Sequence, residues 1–429
     1  MNAIQLRNYT IFLVITFCIL FNYGFMKIRI GGVIPIAELV LIFSLLTIRY
    51  TTLIPRLSSV VCLIPFFIWW FYGICYALLG IPKYGIWALR DASHVIESLF
   101  LLLGFSYIAR PKMREKFFKW LPIFLVITSL YALSFAFSLN SFLIPYAAND
   151  FTGDDISIFL TYSNSGSMLL LSASYLFIFK AQKRNFVLYY FLAMMIFFFA
   201  IFLFQSRTIY LQSIFLFVLL LLYKKISIVK VLSIIILLIP IFMLLSLADI
   251  NLKGRLQIFS FDFLINHLMT LSGDTNSPEL EGSAGGVSQR IEWWLNLFEI
   301  WTKNVINFIF GLGYGFPLID FINQDSIIVR EPHNSYISVL ARGGVLAAVM
   351  FLWMHVLLLR TWKRLYFAYG HCGDIKGQYR LIVLMVFFLL VWIQSIGEDG
   401  FEKPYYAIPY YFFWGIILRL SYNKKNLIN

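Results

Sequence analysis

The stretch VREPHNSYISVLARGGVLAAVMFLW (329–353) decides how this chain folds. Within a few residues a polar segment gives way to a run apolar enough to enter lipid. Pro332 stops whatever precedes it, Asn334 and Ser335 are good helix N-caps, and the apolar run starts at Tyr336. His333 is therefore expected at the positive end of a spanning helix, close to the membrane surface. A helix N-terminus and nearby arginines disfavour imidazolium, so the ring is expected to be neutral and able to accept a proton. Two readings of His333 follow, a general base or an interfacial histidine that only helps to cap the helix, and position alone does not choose between them.

Composition extends the membrane reading to the whole chain. Of its 429 residues 61% are hydrophobic, 19% aromatic and only 13% charged, too little polar surface for a soluble globular protein. The fold class is an all-α polytopic integral membrane protein. Apolar runs near 9–25, 31–48, 58–80, 88–109, 117–139, 156–179, 186–205, 208–223, 229–248, 334–359, 381–397 and 405–421 predict about twelve transmembrane helices. Helices one to nine fill residues 1–248, one long outer loop spans 249–332, and helices ten to twelve fill 333–429. The net charge of +13 would suggest nucleic acid in a soluble chain, but here basic residues mark cytoplasmic loops and no nucleic-acid partner is expected. With the N-terminus inside, the basic clusters at 110–119, 180–184, 224–230 and 360–380 all fall on the cytoplasmic side, and so do both termini. The first apolar run has no small-residue cleavage site and reads as a retained anchor. Cys18, Cys62, Cys75 and Cys372 form neither a disulfide framework nor a metal-type spacing.

Polar residues inside or beside such helices are the candidates for function. In WALRDASHVIES (87–98), Arg90, His94 and Glu97 are spaced to share one helical face, as an internal lock or as a cavity wall. Asp150, Asp154 and Asp155 lie in an outer loop without the spacing of a calcium site, and read as solvated. Helices seven and eight are joined by the tripeptide 205–207, which holds Arg207 at the outer boundary, either snorkelling to headgroups or facing a ligand. In the long loop, 272–288 is rich in Gly, Ser and acids and reads as flexible. Residues 289–310 carry apolar side chains at helical spacing and predict an amphipathic helix on the membrane surface. Arg290 would open that helix against its dipole, a position that a bound anion would favour. GLGYG (311–315) allows close approach of backbone to a ligand, or simply a helix C-cap and turn. Arg342, about 13 Å further along helix ten and on the opposite face from His333, is either buried against neighbouring helices or a second anion contact.

Arg207, Arg290 and His333 thus coincide at the outer boundary. Guanidinium groups suit fork-like contact with phosphate oxygens, and beside an imidazole they fit a reaction whose leaving group is a phosphate or diphosphate on a lipid. No metal is required, because guanidinium can stabilise the departing charge. The order Ser-Arg at 206–207, Arg-x-x-x-Trp at 290–294, Phe-Gly-x-Gly at 310–313, Pro-His-Asn-Ser-Tyr at 332–336 and Gly-Gly at 343–344 resembles the O-antigen ligase and polymerase superfamily, closely over roughly 200–350. One departure is Arg342, where a neutral or acidic residue is expected before the glycine.

The resemblance implies a metal-independent, inverting glycosyltransferase of GT-C-like architecture, with no cofactor, in the bacterial inner membrane. Its donor would be an undecaprenyl-diphosphate-linked glycan at the periplasmic face, with membrane lipids around it. Arg207 and Arg290 would grip the diphosphate, His333 would deprotonate or position the acceptor hydroxyl, and Asn334, Tyr336, Arg342 and Arg90 would shape the site. A ligase would use lipid A-core as acceptor and a polymerase a lipid-linked glycan; the order of the two arginines and the histidine favours the ligase. A lipid-linked-sugar flippase is an alternative of another class, although no internal repeat pairs the two halves.

Overall fold

In hydrocarbon every backbone N–H and C=O must be satisfied within the protein, and a helix does this within a single segment, so apolar runs of this length become helices. The computed structural model describes residues 3–26, 28–30, 34–48, 63–135, 146–148, 155–157, 162–180, 186–229, 232, 254–258, 261–270, 280–319, 321–322 and 328–428. The first half runs through α1 (Ala3–Met26), α2 (Ile36–Leu46), α3 (Leu63–Tyr84), α4 (Ile86–Asp91), α5 (Ser93–Glu97), α6 (Phe100–Tyr107), α7 (Pro111–Ala132), α8 (Tyr162–Tyr175), α9 (Phe186–Phe204) and α10 (Arg207–Leu222). The second half has α11 (Phe261–Met269), α12 (Glu281–Thr302), α13 (Val305–Phe310), α14 (Ser335–His371), α15 (Ile375–Gly397) and α16 (Pro404–Ile428). Short antiparallel ribbons pair 29–30 with 34–35, 146–148 with 155–157, and 321–322 with 328–329.

Among the described residues, five helices are long and apolar enough to cross a membrane: Ala3–Asn22, Leu63–Tyr84, Val187–Phe204, Ser335–His371 and Ile375–Gly397. Four shorter apolar helices accompany them. The chain is an all-α, multi-pass membrane protein. The expected span at 229–248 lies almost wholly outside the described residues, as do Cys62, Asp150, Asp154 and 271–279.

The centre of the bundle is α16. Its residues from Tyr405 to Leu420 are buried on every side, as expected of a helix that is apolar all round. It lies so close to α6 that a Cβ at Gly104 would strike the Phe412 carbonyl, and one at Gly415 the Leu101 carbonyl. Further out, Gln212 ties α10 to α15 and α8: its amide donates to Leu390 O at 2.7 Å and accepts from Ser167 Oγ at 3.0 Å.

Two sequence expectations are corrected here. The run 88–109 is not one regular helix. It is broken at Ala92 and again at 98–99, with i→i+3 bonds Val95 N to Ala92 O (2.9 Å) and Leu101 N to Ser98 O (3.0 Å). Such 3₁₀-like turns wind tighter than 3.6 residues per turn, so the i, i+4, i+7 register is lost. Arg90 is exposed, whereas His94 and Glu97 are buried. Nor is 289–310 one helix that Arg290 opens. α12 begins at Glu281, inside the segment read as flexible, and ends at Thr302; Asn304 then caps α13 by accepting from Asn307 N at 2.7 Å. Arg290 therefore stands in the third turn, and the argument from an opposed helix dipole no longer applies to it.

The glycines of GLGYG serve packing. Gly344, at φ +67°, breaks α14, and Gly311, at φ +83°, ends α13. The two strands of backbone lie together without room for a Cβ at either glycine. Leu312 N donates to Ala341 O at 2.7 Å and Gly313 N to Arg342 O at 2.9 Å, so the carbonyls released by the break are satisfied.

Candidate active site

The site end of the bundle is built on four backbone positions, Ile396 to Asp399, where α15 runs out. Gly397 O accepts from Arg290 Nη1 at 3.0 Å, Ile396 O from Asn334 Nδ2 at 3.0 Å, and Asp399 Oδ2 lies 3.1 Å from His333 Nδ1. Thr208, next to Arg207, fits against the bare face of Gly397, its Oγ1 only 3.1 Å from where a Cβ would stand. Segments separated by up to 190 residues of sequence thus share one short stretch of chain.

Arg207 opens α10 after a two-residue reversal in which Gln205 takes φ +40°. The buried Gln205 amide accepts from Leu256 N (2.6 Å) and Gln257 N (2.9 Å) and donates to Gln257 O (2.8 Å), pinning 254–257 against the reversal. This delivers Arg255 to the same place: Arg207 feels the charges of both Arg290 and Arg255. Arg207 Nη1 also donates to Thr270 O and Oγ1, each at 3.4 Å. His267 is buried nearby, its Nδ1 3.2 Å from Tyr210 Oη. Burial, then the charges of Arg207 and Arg255, bring its imidazole down to about 4. So weak a base is poorly matched to proton abstraction near neutrality.

His333 occupies the left-handed region at φ +52°, a conformation that costs a non-glycine residue roughly 1–3 kcal/mol and is held by its surroundings. Those surroundings are explicit. Trp294 Nε1 donates to Pro332 O at 2.8 Å, Trp293 lies with its ring centre 6.2 Å from the imidazole, and Asn334 caps α14 by accepting from Tyr336 N and Ile337 N. Asn334 is thus the N-cap that the sequence suggests. Ser335 Oγ instead donates to Glu402 Oε2 at 2.8 Å and accepts from Phe401 N at 3.0 Å. Burial pushes the Asp399 carboxyl up, but the hydrogen bond from His333 and the charges of Lys403, His333 and Arg290 outweigh it and hold the group below its ordinary value. An ionised Asp399 accepts a hydrogen bond from Nδ1–H and so favours the tautomer whose Nε2 carries the lone pair. His333 remains about a third exposed while Asp399 is 6% exposed, so the dyad offers one nitrogen outward.

The other sequence candidates separate. Tyr336 donates to Trp392 O at 3.0 Å beside the dyad. Arg342 is 1% exposed and held by Glu331 Oε1 at 2.6 Å and Asp91 Oδ2 at 3.1 Å, which fits the buried reading and leaves it no face for an anion. Asp91 also accepts from Gly315 N at 3.0 Å and lies 3.5 Å from Arg330. Arg90 stacks over Trp87, 4.6 Å from its ring centre, and Arg330 approaches the same ring to 4.2 Å. Among the described residues no group of three or more His, Cys, Asp or Glu side chains is arranged to hold a metal ion.

With this geometry in view, the family model described as O-antigen ligase matches residues 192–352, less than half of the chain. That span holds Arg207, Arg255, Arg290, His333 and Arg342. Over that span the chain is similar to the O-antigen ligase family. No curated protein matches it. Asp399 lies beyond the matched span. Nothing in its spacing marks it as the partner of a histidine 66 positions earlier. Arg255 was missed for a similar reason, because only the Gln205 amide brings it in.

Proposed function

We propose that this chain is a member of the O-antigen ligase and polymerase superfamily and moves a glycan from undecaprenyl diphosphate to an acceptor hydroxyl. The setting is the periplasmic face of the bacterial inner membrane, with both termini in the cytoplasm. The observation that carries the reading is the meeting of Arg290, the Arg207 turn and the His333–Asp399 dyad on residues 396–399. In the reaction, the acceptor oxygen attacks the anomeric carbon from the side opposite the diphosphate, and its proton passes to His333 Nε2. The bond from the anomeric carbon to the diphosphate oxygen breaks, and that oxygen keeps the electron pair. Arg207, Arg290 and Arg255 face the charge that develops there, which supports a step without a metal ion. Configuration inverts. Asp399 fixes the tautomer and stabilises the imidazolium as it forms. Asn334 and Tyr336 hold the start of α14 against α15, and Arg342 braces the same region from beneath.

Arg290→Lys is expected to lower transfer strongly at unchanged protein level, because an ammonium cannot keep the Gly397 contact and also present a planar fork to phosphate. Asp399→Asn is expected to slow transfer on the order of 10²-fold, since an amide can favour the wrong tautomer. Both are read with purified protein in lipid, a purified lipid-linked donor and candidate acceptors, with EDTA present throughout. Released undecaprenyl diphosphate together with glycosylated acceptor supports the assignment and excludes a flippase. Transfer that stops in EDTA would refute the metal-independent step.

The acceptor proposed is lipid A-core, making the protein a ligase. A strain lacking it should accumulate lipid-linked polymer above bare core. Single repeat units capping the core would point instead to a repeat-unit polymerase.

A further inference from the structure

The short helix α13 carries five large apolar side chains that the described protein leaves wholly or partly uncovered, Phe308 stacking on Trp301 with ring centres 4.9 Å apart. Val305 and Ile306 are each 71% exposed, and Phe308, Ile309 and Phe310 about 40%. The end of this helix sits low in the bundle. Tyr72 of α3 donates to Phe310 O at 2.9 Å and to Gly343 O at 3.0 Å. From there the chain climbs along α3, reaching Tyr84 at Gly315. Twelve residues of helix separate Tyr72 from Tyr84, so Phe310 lies about 18 Å below the outer end of α3.

A second ruler agrees. Gly343 is eight residues into α14, about 12 Å below the start of that helix, and about 25 Å above Arg360, which lies at its basic end. A hydrocarbon core about 30 Å thick that begins at Arg360 would include the level of Phe310.

We infer that α13 is a re-entrant element seated in the outer leaflet, its apolar face covered by the hydrocarbon chains of bulk lipid. The backbone at this depth meets the condition that lipid imposes, because its polar groups are answered within the protein: Phe310 O by Tyr72, Gly311 N by Asn307 O, Leu312 N by Ala341 O and Gly313 N by Arg342 O. Residues 304–319 include no charged side chain. The segment 249–332 is then not wholly extramembrane, as the sequence suggests, but dips back at 305–310. This inference rests on helix lengths and hydrogen bonds, not on the reaction.

The test introduces the photo-crosslinking residue benzoylphenylalanine at Ile306 in the full chain, reconstituted in vesicles of phosphatidylethanolamine and phosphatidylglycerol. Irradiation should give phospholipid adducts by mass spectrometry, in yield comparable to the same residue at Leu352 on the exposed face of α14. At Glu299, the charged side of α12, adduct should be lost. A yield at 306 as low as at 299, or cross-links from 306 only to other parts of this protein, would overturn the inference. Benzoylphenylalanine at Val305 gives the same reading should position 306 not tolerate the change.

Discussion

His333→Ala is expected to reduce glycan transfer by roughly 10²–10⁴-fold, the range that general acid–base groups contribute, while leaving the protein in the membrane. The left-handed backbone suits alanine somewhat less than histidine, and Asp399 loses its donor, while its Oδ1 already has no hydrogen-bond partner among the described residues. A buried acceptor left unmet costs about 1–3 kcal/mol and a charged one more, so a loss of transfer in this variant could be confused with a loss of fold. His333→Asn separates the two. Asparagine tolerates the left-handed conformation and its amide can donate to Asp399, yet it has no basic nitrogen. Thermal stability should return to near the wild-type value and transfer should not. Wild-type transfer by the asparagine variant would remove His333 from the chemistry.

Arg342→Met is expected to have the largest effect on folding. The guanidinium is the cation between Glu331 and Asp91, and methionine would leave both carboxylates against an apolar side chain. Breaking a buried pair from one side costs about 3–5 kcal/mol, a large part of a domain's whole stability. The variant should be depleted from membranes or unfold at markedly lower temperature. Combining it with Asp91→Asn and Glu331→Gln removes the stranded charges and should restore much of the folded protein, and with it transfer. An Arg342→Met protein of wild-type thermal stability but without transfer would show instead that Arg342 meets substrate.

How much of this was legible in the sequence differs by kind of contact. The N-cap at Asn334, the tight reversal before Arg207 and the apolar runs are local, set by propensity and periodicity within a few residues, and they were readable. The broken stretch 88–107 was not, because a change from i→i+4 to i→i+3 bonding leaves no mark in composition. Arg290 was singled out as the opening of a helix, but that helix starts nine residues earlier. The contact that gives it a position is with a backbone carbonyl at Gly397, and backbone atoms carry no sequence signal. Asp399 and Arg255 illustrate the same limit: each is one charged residue among several in its loop until a distant segment closes on it. The apolar side chains of 305–310 were read as a surface stripe, because depth is set by Tyr72 and Gly343 and not by the stripe itself.

The dependence on residues 396–399 has a consequence for biogenesis. A ribosome that has reached residue 352 has already made the arginines, the histidine and the whole matched span, yet the carbonyls and carboxylate that fix their positions are still unmade. On the proposed function the nascent chain would be inert until α15 has been inserted and the turn beyond it has emerged, and a premature stop between 353 and 399 would leave a chain with both arginines and the histidine but without the atoms that position them.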